Sequence, residues 1–226
     1  METGFCEPVM GSVAPVARSL GERIDAVHAT VRELAARQPP LRRERLSGIH
    51  NPWGHASVIA DAWRFLDLCE DPAILDRVEQ VIGPDIVLWD SQLYLEAASY
   101  LRFVEAQREG RYWPVLPLAG AVVLVAPGHP SAPVSCFDLA ALGGAPRPAL
   151  DPRAPLYVIR YMPAASRFVR DPHAPANWTA MEEQPLLNYA TRPLWLVRGE
   201  DRAGNDFVTG FSPAVPRWAG HQPQEH

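Results

Sequence analysis

Two glutamates four positions apart, Glu105 and Glu109, bracket Gln107 and lead into Tyr112-Trp113-Pro114. A carboxylate set against an apolar wall holds its proton more tightly and can work as a general acid or base. Glu109 is the candidate proton carrier, with Tyr112 and Gln107 as companion catalytic positions. Glu105 joins a substrate pocket if it points inward. A solvated Glu109, or one paired with Arg108 or Arg111, accounts for the same residues equally well. Tyr112 and Trp113 suit a cavity wall, and core aromatics suit them too. Arg153 and Arg160 are the candidate substrate anchors, because a guanidinium grips a carboxylate through two parallel hydrogen bonds. Their alternative role is pairing with a structural carboxylate such as Glu96.

Metal chemistry finds little support in the spacing of its usual ligands. The seven histidines are His28, His50, His55, His129, His173, His221 and His226, and none opens a His-x-His, His-x-Asp or His-x-Glu pattern. His50 and His55 lie five apart in a segment containing Pro and Gly, and Asp171-Pro-His173 reads as a surface turn. Cys6, Cys69 and Cys136 are widely separated, which fits reduced thiols in a cytoplasmic protein rather than a disulfide frame or zinc site. The chain contains no lysine, all 21 basic residues being arginine. Schiff-base chemistry and a lysine-bearing phosphate loop are thereby excluded.

The elements that must position these residues divide the chain in two. Val13, Val16, Leu20, Ile24, Val27, Val31 and Leu34 recur at intervals of three and four, predicting an amphipathic helix over 13–36 that Pro39-Pro40 ends. A second helix is expected over 58–68. A third is expected to start at Asp71-Pro72 and to stop at Gly83. Beyond Pro84 the texture changes to short apolar runs: 86–89, 92–95, 121–125, 156–159 and 194–197. Helices followed by short strands predict an α+β fold, with helices packed on an antiparallel sheet or barrel. One domain is expected over 1–226, mainly helical over 13–83 and mainly β over 84–212, with a polar tail over 213–226.

Composition narrows the partners. A net charge of −5 without a basic run argues against nucleic acid. No stretch reaches the roughly 18 apolar residues of a membrane span, and no secretory signal pattern opens the chain. The expectation is a cytoplasmic protein acting on a small-molecule substrate, possible also as a homo-oligomer.

The segment Glu105-Ala-Gln-Arg-Glu-Gly-Arg-Tyr-Trp-Pro114 resembles the iron-binding segment of the phytanoyl-CoA dioxygenase family, whose pattern is Trp-His-x-Asp-x-x-Tyr-Trp-Pro. Residues 72–89 resemble the helix, Gly-Pro turn and strand that precede it. Tyr157-Val-Ile-Arg-Tyr-Met-Pro163 is similar to a late barrel strand, and residues 194–205 to a C-terminal ending of bacterial members. The resemblance implies a double-stranded β-helix (jelly-roll) barrel, and a site with two His, one carboxylate, ferrous iron and 2-oxoglutarate. Aligned on Tyr112-Trp113-Pro114, the family's first His is Gln107 and its Asp is Glu109. The best match to the second His is Leu142, with Arg153 downstream as the 2-oxoglutarate arginine. His129 is the other candidate relic, although its spacing to Arg153 is too long.

From this resemblance the expected protein has a degenerate iron triad, no metal and no cofactor. It would catalyse a redox-neutral step, such as cyclisation, isomerisation, elimination or addition, in natural-product biosynthesis. One alternative is an iron- and 2-oxoglutarate-dependent oxygenase with altered ligands. The other is a non-catalytic ligand-binding pseudoenzyme, with a filled pocket and an exposed apolar face.

Overall fold

The computed structural model describes residues 19–37, 45–127, 134–142, 150–183 and 189–207. Helix α1 spans Leu20–Ala35 and starts on a capping box: Ser19 Oγ accepts from Glu22 N–H, and the Glu22 carboxylate accepts from Ser19 N–H. Its buried stripe is Ile24, Val27, Thr30, Val31 and Leu34. The expected start at residue 13 lies outside the described residues. Strand β1 (Arg45–Ser47) and a single 3₁₀ turn (His55–Val58) follow, then α2 (Ala62–Cys69) and α3 (Pro72–Ile82). The run read as one helix over 58–68 is thus split, because Asp61 caps α2 through Trp63 N–H. Helix α3 meets expectation closely, with Asp71 accepting from Ala73 N–H, Pro72 in the first turn and Gly83 at its end.

The sheet is built around β2 (Ile86–Tyr94), all nine residues of which are buried. Short helices α4 (Ala97–Leu101) and α5 (Val104–Arg108) come next. Then follow β3 (Val115–Leu116), β4 (Ala121–Val125), β5 (Val134–Asp138), β6 (Leu156–Pro163) and β7 (Arg167–Phe168). Helix α6 (Pro175–Glu183) and β8 (Trp195–Arg198) complete the described elements. The main sheet is antiparallel in the order β1-β2-β6-β4-β5. Strand β8 pairs with residues 86–88 of β2, and β1 pairs with residues 92–94. Both therefore occupy the edge of β2 opposite β6, one after the other.

Helices on an antiparallel sheet are observed. The closed barrel is not: among the described residues β3 pairs with β7 as a separate two-stranded ribbon, and the six-stranded sheet keeps its edges. Two residues of pairing are too short to carry a barrel wall. The two runs expected at 86–89 and 92–95 are one strand, because Asp90 and Ser91 continue it instead of breaking it.

Helices α1 to α3 cover one face of the sheet, packing Val27, Phe65, Leu68, Ile74 and Val78 on Leu88, Val123, Ile159 and Tyr161. The far face carries Val87, Trp89, Tyr94, Val122, Val158 and Met162, covered by Tyr100, Val104, Trp113 and Tyr189. A register shift in β2 between Leu88 and Asp90 alters the alternation of faces. Trp89 and Asp90 both serve the far face, and Ser91 faces the helices, as expected of a bulge that re-aims side chains.

On the helical face Ser91 Oγ lies 2.8 Å from His50 Nδ1. The fully buried His50 ring also meets Trp195 edge to face, at 4.7 Å between centroids. Burial, with the nearby Arg192 cation, pulls the His50 pKa well below the usual imidazole value. In the unfolded chain His50 takes up a proton near about pH 6.5, whereas in the native protein it stays neutral lower. Below that pH the unfolded state binds the extra proton, so stability falls on acidification. We expect a loss of up to about 1.4 kcal/mol per pH unit between about pH 6.5 and pH 5. His50→Gln should remove this slope in thermal unfolding followed across that range, and identical slopes would refute the assignment.

Candidate anion-binding site

The far face of the sheet holds a buried polar cluster centred on Asp90. Strand pairing sets Arg160 of β6 directly across from Asp90 of β2. Arg160 Nη1 donates to Asp90 Oδ2 at 3.2 Å, and Nη2 donates to Gln92 Oε1 at 3.2 Å. Gln92 Nε2 donates to the same Asp90 oxygen at 3.0 Å, and Tyr94 Oη donates to Gln92 Oε1 at 2.6 Å. Tyr189 Oη accepts from Arg160 Nη1 at 3.5 Å.

A second guanidinium reaches the same carboxylate. Arg192 Nη1 pairs with Asp90 Oδ1, and its charged end lies 4.9 Å from the Tyr189 ring. The turn that carries both residues is fixed by Arg170, whose Nη1 donates to the carbonyls of Ala190 and Arg192 at 3.0 and 2.8 Å. Burial lowers the Arg192 pKa from the ordinary arginine value, and it raises that of Tyr189. The Asp90 charge opposes the first shift by favouring the Arg192 cation.

Charge and hydrogen bonding at this place are both lopsided. Arg160 and Arg192 are buried, and the buried carboxylate they share is Asp90 alone among the described residues. The aromatic wall is contiguous: Trp89 contacts Trp113, Tyr189 and Phe168 at 5.0, 5.4 and 5.8 Å, and Arg160 sits 5.5 Å from the Trp89 ring. Arg160 Nε, Trp89 Nε1 and Trp113 Nε1 are buried without a hydrogen-bond partner among the described residues. All three are donors. An unsatisfied buried donor costs about 1–3 kcal/mol, and an acceptor such as a carboxylate or carbonyl would satisfy it.

The residues singled out from sequence are distributed unevenly over this arrangement. Arg160 is at its centre, paired with Asp90 rather than with the exposed Glu96. Trp113 lines it through Trp89. Tyr112 is buried and meets the Phe103 ring edge-on at 6.1 Å. Gln107 is fully buried on α5, and neither its amide oxygen nor its nitrogen has a partner among the described residues. Glu109 is exposed just beyond α5, away from the buried aromatic wall. Arg153 is also exposed, its backbone N–H donating to Asp151 at 2.9 Å, and does not join Arg160. Glu105 lies in α5, its side chain outside the described part, and His129 lies outside the described residues. Sequence reading missed Asp90, Gln92, Tyr94, Tyr189 and Arg192. The one available signal was the polar trio Asp90-Ser91-Gln92 within an otherwise apolar run.

Iron fits poorly here. Among the described residues no three His, Cys, Asp or Glu side chains converge as a metal site. The positions aligned with iron ligands are a buried amide, Gln107, an exposed carboxylate, Glu109, and a buried aliphatic side chain, Leu142. No helix among the described residues is long and apolar enough to cross a membrane.

No family model and no curated protein matches the chain. Solved structures similar to it include CytC3 with Fe(II) and alpha-ketoglutarate, at 14% identity and TM-score 0.49 over 85% of this chain and 86% of that one. A further CytC3 structure is 16% identical, with TM-score 0.45 and 84% of each chain covered. A non-heme monooxygenase, the ThoJ–Ni complex, is 18% identical with TM-score 0.38, over 90% of this chain and 85% of that one. The expectation of a protein without cofactor is corrected by these findings: one similar structure carries Fe(II) and alpha-ketoglutarate, and another carries nickel.

Proposed function

We propose that this chain binds a small carboxylate-bearing molecule of the 2-oxo acid class on the far face of its sheet, as the binding step of an oxygenase-like small-molecule enzyme. The observation that carries this reading is the surplus of donors around one carboxylate: two buried guanidiniums on Asp90, with unpaired N–H groups on Arg160, Trp89 and Trp113. A ligand carboxylate would bring the missing negative charge, and an adjacent carbonyl would meet an indole donor. The alpha-ketoglutarate in the CytC3 structure belongs to this chemical class. Arg160 is the principal anchor, since its Nε is still available for a second acceptor.

The expected redox-neutral step through Glu109 gains no support from the geometry, because that carboxylate is exposed while the donor cluster is buried. Asp90 in turn is paired with two guanidiniums, and its Oδ2 accepts from Arg160 and Gln92, so its place in the cluster is that of an acceptor.

Isothermal titration with 2-oxoglutarate tests the reading. We expect saturable binding at one site per chain, weakened at least about 30-fold in Arg160→Gln, the equivalent of about 2 kcal/mol. Absence of heat with the folded wild-type protein, or equal affinity in the variant, would overturn it. Asp90→Asn leaves both guanidiniums without their carboxylate. It should lower stability by about 3–5 kcal/mol in urea unfolding, and a variant as stable as wild type would remove the charge imbalance from consideration.

A second reading, self-association, is favoured by a separate observation. Trp53, Val58 and Trp63 are 76%, 75% and 61% exposed, with the two indoles 6.3 Å apart. Exposed indoles paired in this way mark contact surfaces. Sedimentation velocity should show a concentration-dependent oligomer that Trp53→Asp returns to monomer. A wild-type monomer at every concentration would exclude this role.

A further inference from the structure

Gly48 follows β1 with φ of +66°, the left-handed region that favours glycine. Its backbone N–H donates to the Ser91 carbonyl at 2.7 Å, and its own carbonyl accepts from Asn51 N–H at 3.0 Å. The turn is therefore pinned to β2 next to Asp90. A Cβ at this position would stand 3.2 Å from Arg192 Nη2 and 3.3 Å from Arg192 Cζ. The Arg192 guanidinium thus packs against the bare α-carbon of Gly48 while pairing with Asp90. Two positions on, His50 grips Ser91 from the helical face and fixes the far end of the same turn.

We propose that Gly48 is a positioning residue of the anion site: the missing side chain leaves the space in which the Arg192 guanidinium is seated against Asp90. This rests on the 2-oxo acid reading given above. Arg192 is held in place by its surroundings on three sides, the Tyr189 ring, the Asp90 carboxylate and the Gly48 backbone. A methyl group at Gly48 would push the guanidinium by a few tenths of an ångström. Charge-assisted contacts of fixed geometry are sensitive to such displacement.

The test separates a displaced guanidinium from simple backbone strain by using a second glycine. Gly83, at the end of α3, also has positive φ, +87°, but a Cβ there meets nothing within 4 Å. Gly48→Ala and Gly83→Ala therefore both place a side chain at positive φ, and only the first crowds Arg192. Affinity for 2-oxoglutarate is measured by calorimetry at a temperature where all variants are folded by circular dichroism. The expected result is about a tenfold or greater rise in Kd for Gly48→Ala and an unchanged Kd for Gly83→Ala. In an Arg192→Gln background, Gly48→Ala should add no further loss, since the two changes act on one contact. Equal affinity of Gly48→Ala and wild type overturns the inference while the binding reading stands. An equal loss in Gly83→Ala, or an undiminished effect without Arg192, overturns it as well. If wild type binds no 2-oxoglutarate, both fall together.

Discussion

A single carboxylate, Asp90, holds the far side of this molecule together. Removing two guanidiniums and a carboxylate from water is expensive, and their mutual attraction offsets that only with good geometry and further hydrogen bonds. Here Gln92, Tyr94 and Tyr189 supply the hydrogen bonds, and three separate chain segments converge to provide them. Strand β2 brings Asp90, Gln92 and Tyr94, β6 brings Arg160, and the 189–192 turn brings Tyr189 and Arg192. A cluster assembled from such distant positions fixes register: sliding β2 against β6 by one residue would move Arg160 to the wrong face.

The same arrangement explains why the far face is polar at its centre and aromatic around it. Trp89, Trp113, Phe168 and Tyr189 exclude water from the charges and strengthen the electrostatics within. The helical face carries its buried charge at the start of α3, where Arg23 pairs with Asp71. Its other buried polar groups are hydroxyl, thiol and imidazole, with Tyr157 Oη 3.0 Å from Cys69 Sγ, and burial holds that thiol protonated. The two faces thus differ in chemistry as well as in covering: one is a packed interior, and the other has donors to spare.

Much of the architecture was legible from local signals. Asp71-Pro72 and Gly83 delimit α3 because caps act within a few residues, and the apolar periodicity of α1 needs no tertiary information. The site was harder to read. Arg160 stood out because a guanidinium grips a carboxylate through two hydrogen bonds. Its structural partner was read as a carboxylate such as Glu96, because the bulge that turns Asp90 toward it is a property of the paired strands. Asp90 and Ser91 read as a break between two strands, since from sequence alone a buried, satisfied polar pair looks like a loop. Glu109 stayed open between a pocket role and a solvated one, because whether a carboxylate just beyond a short helix is buried depends on packing that the motif does not encode. Arg192 carried no local signature, and only the folding of a distant turn brings it to Asp90.

One edge of β2 is shared by two short strands, β8 along residues 86–88 and β1 along residues 92–94. Between them lies a seam, crossed by the Gly48–Ser91 hydrogen bond and filled by the Arg192 side chain. A continuous edge strand would open as one cooperative unit. A divided edge separates into two, so β8 can fray without detaching β1 and its turn. The seam makes this border of the sheet mechanically segmented, with the Arg192 guanidinium packed at the end of the β1 segment, between Gly48 and Asp90.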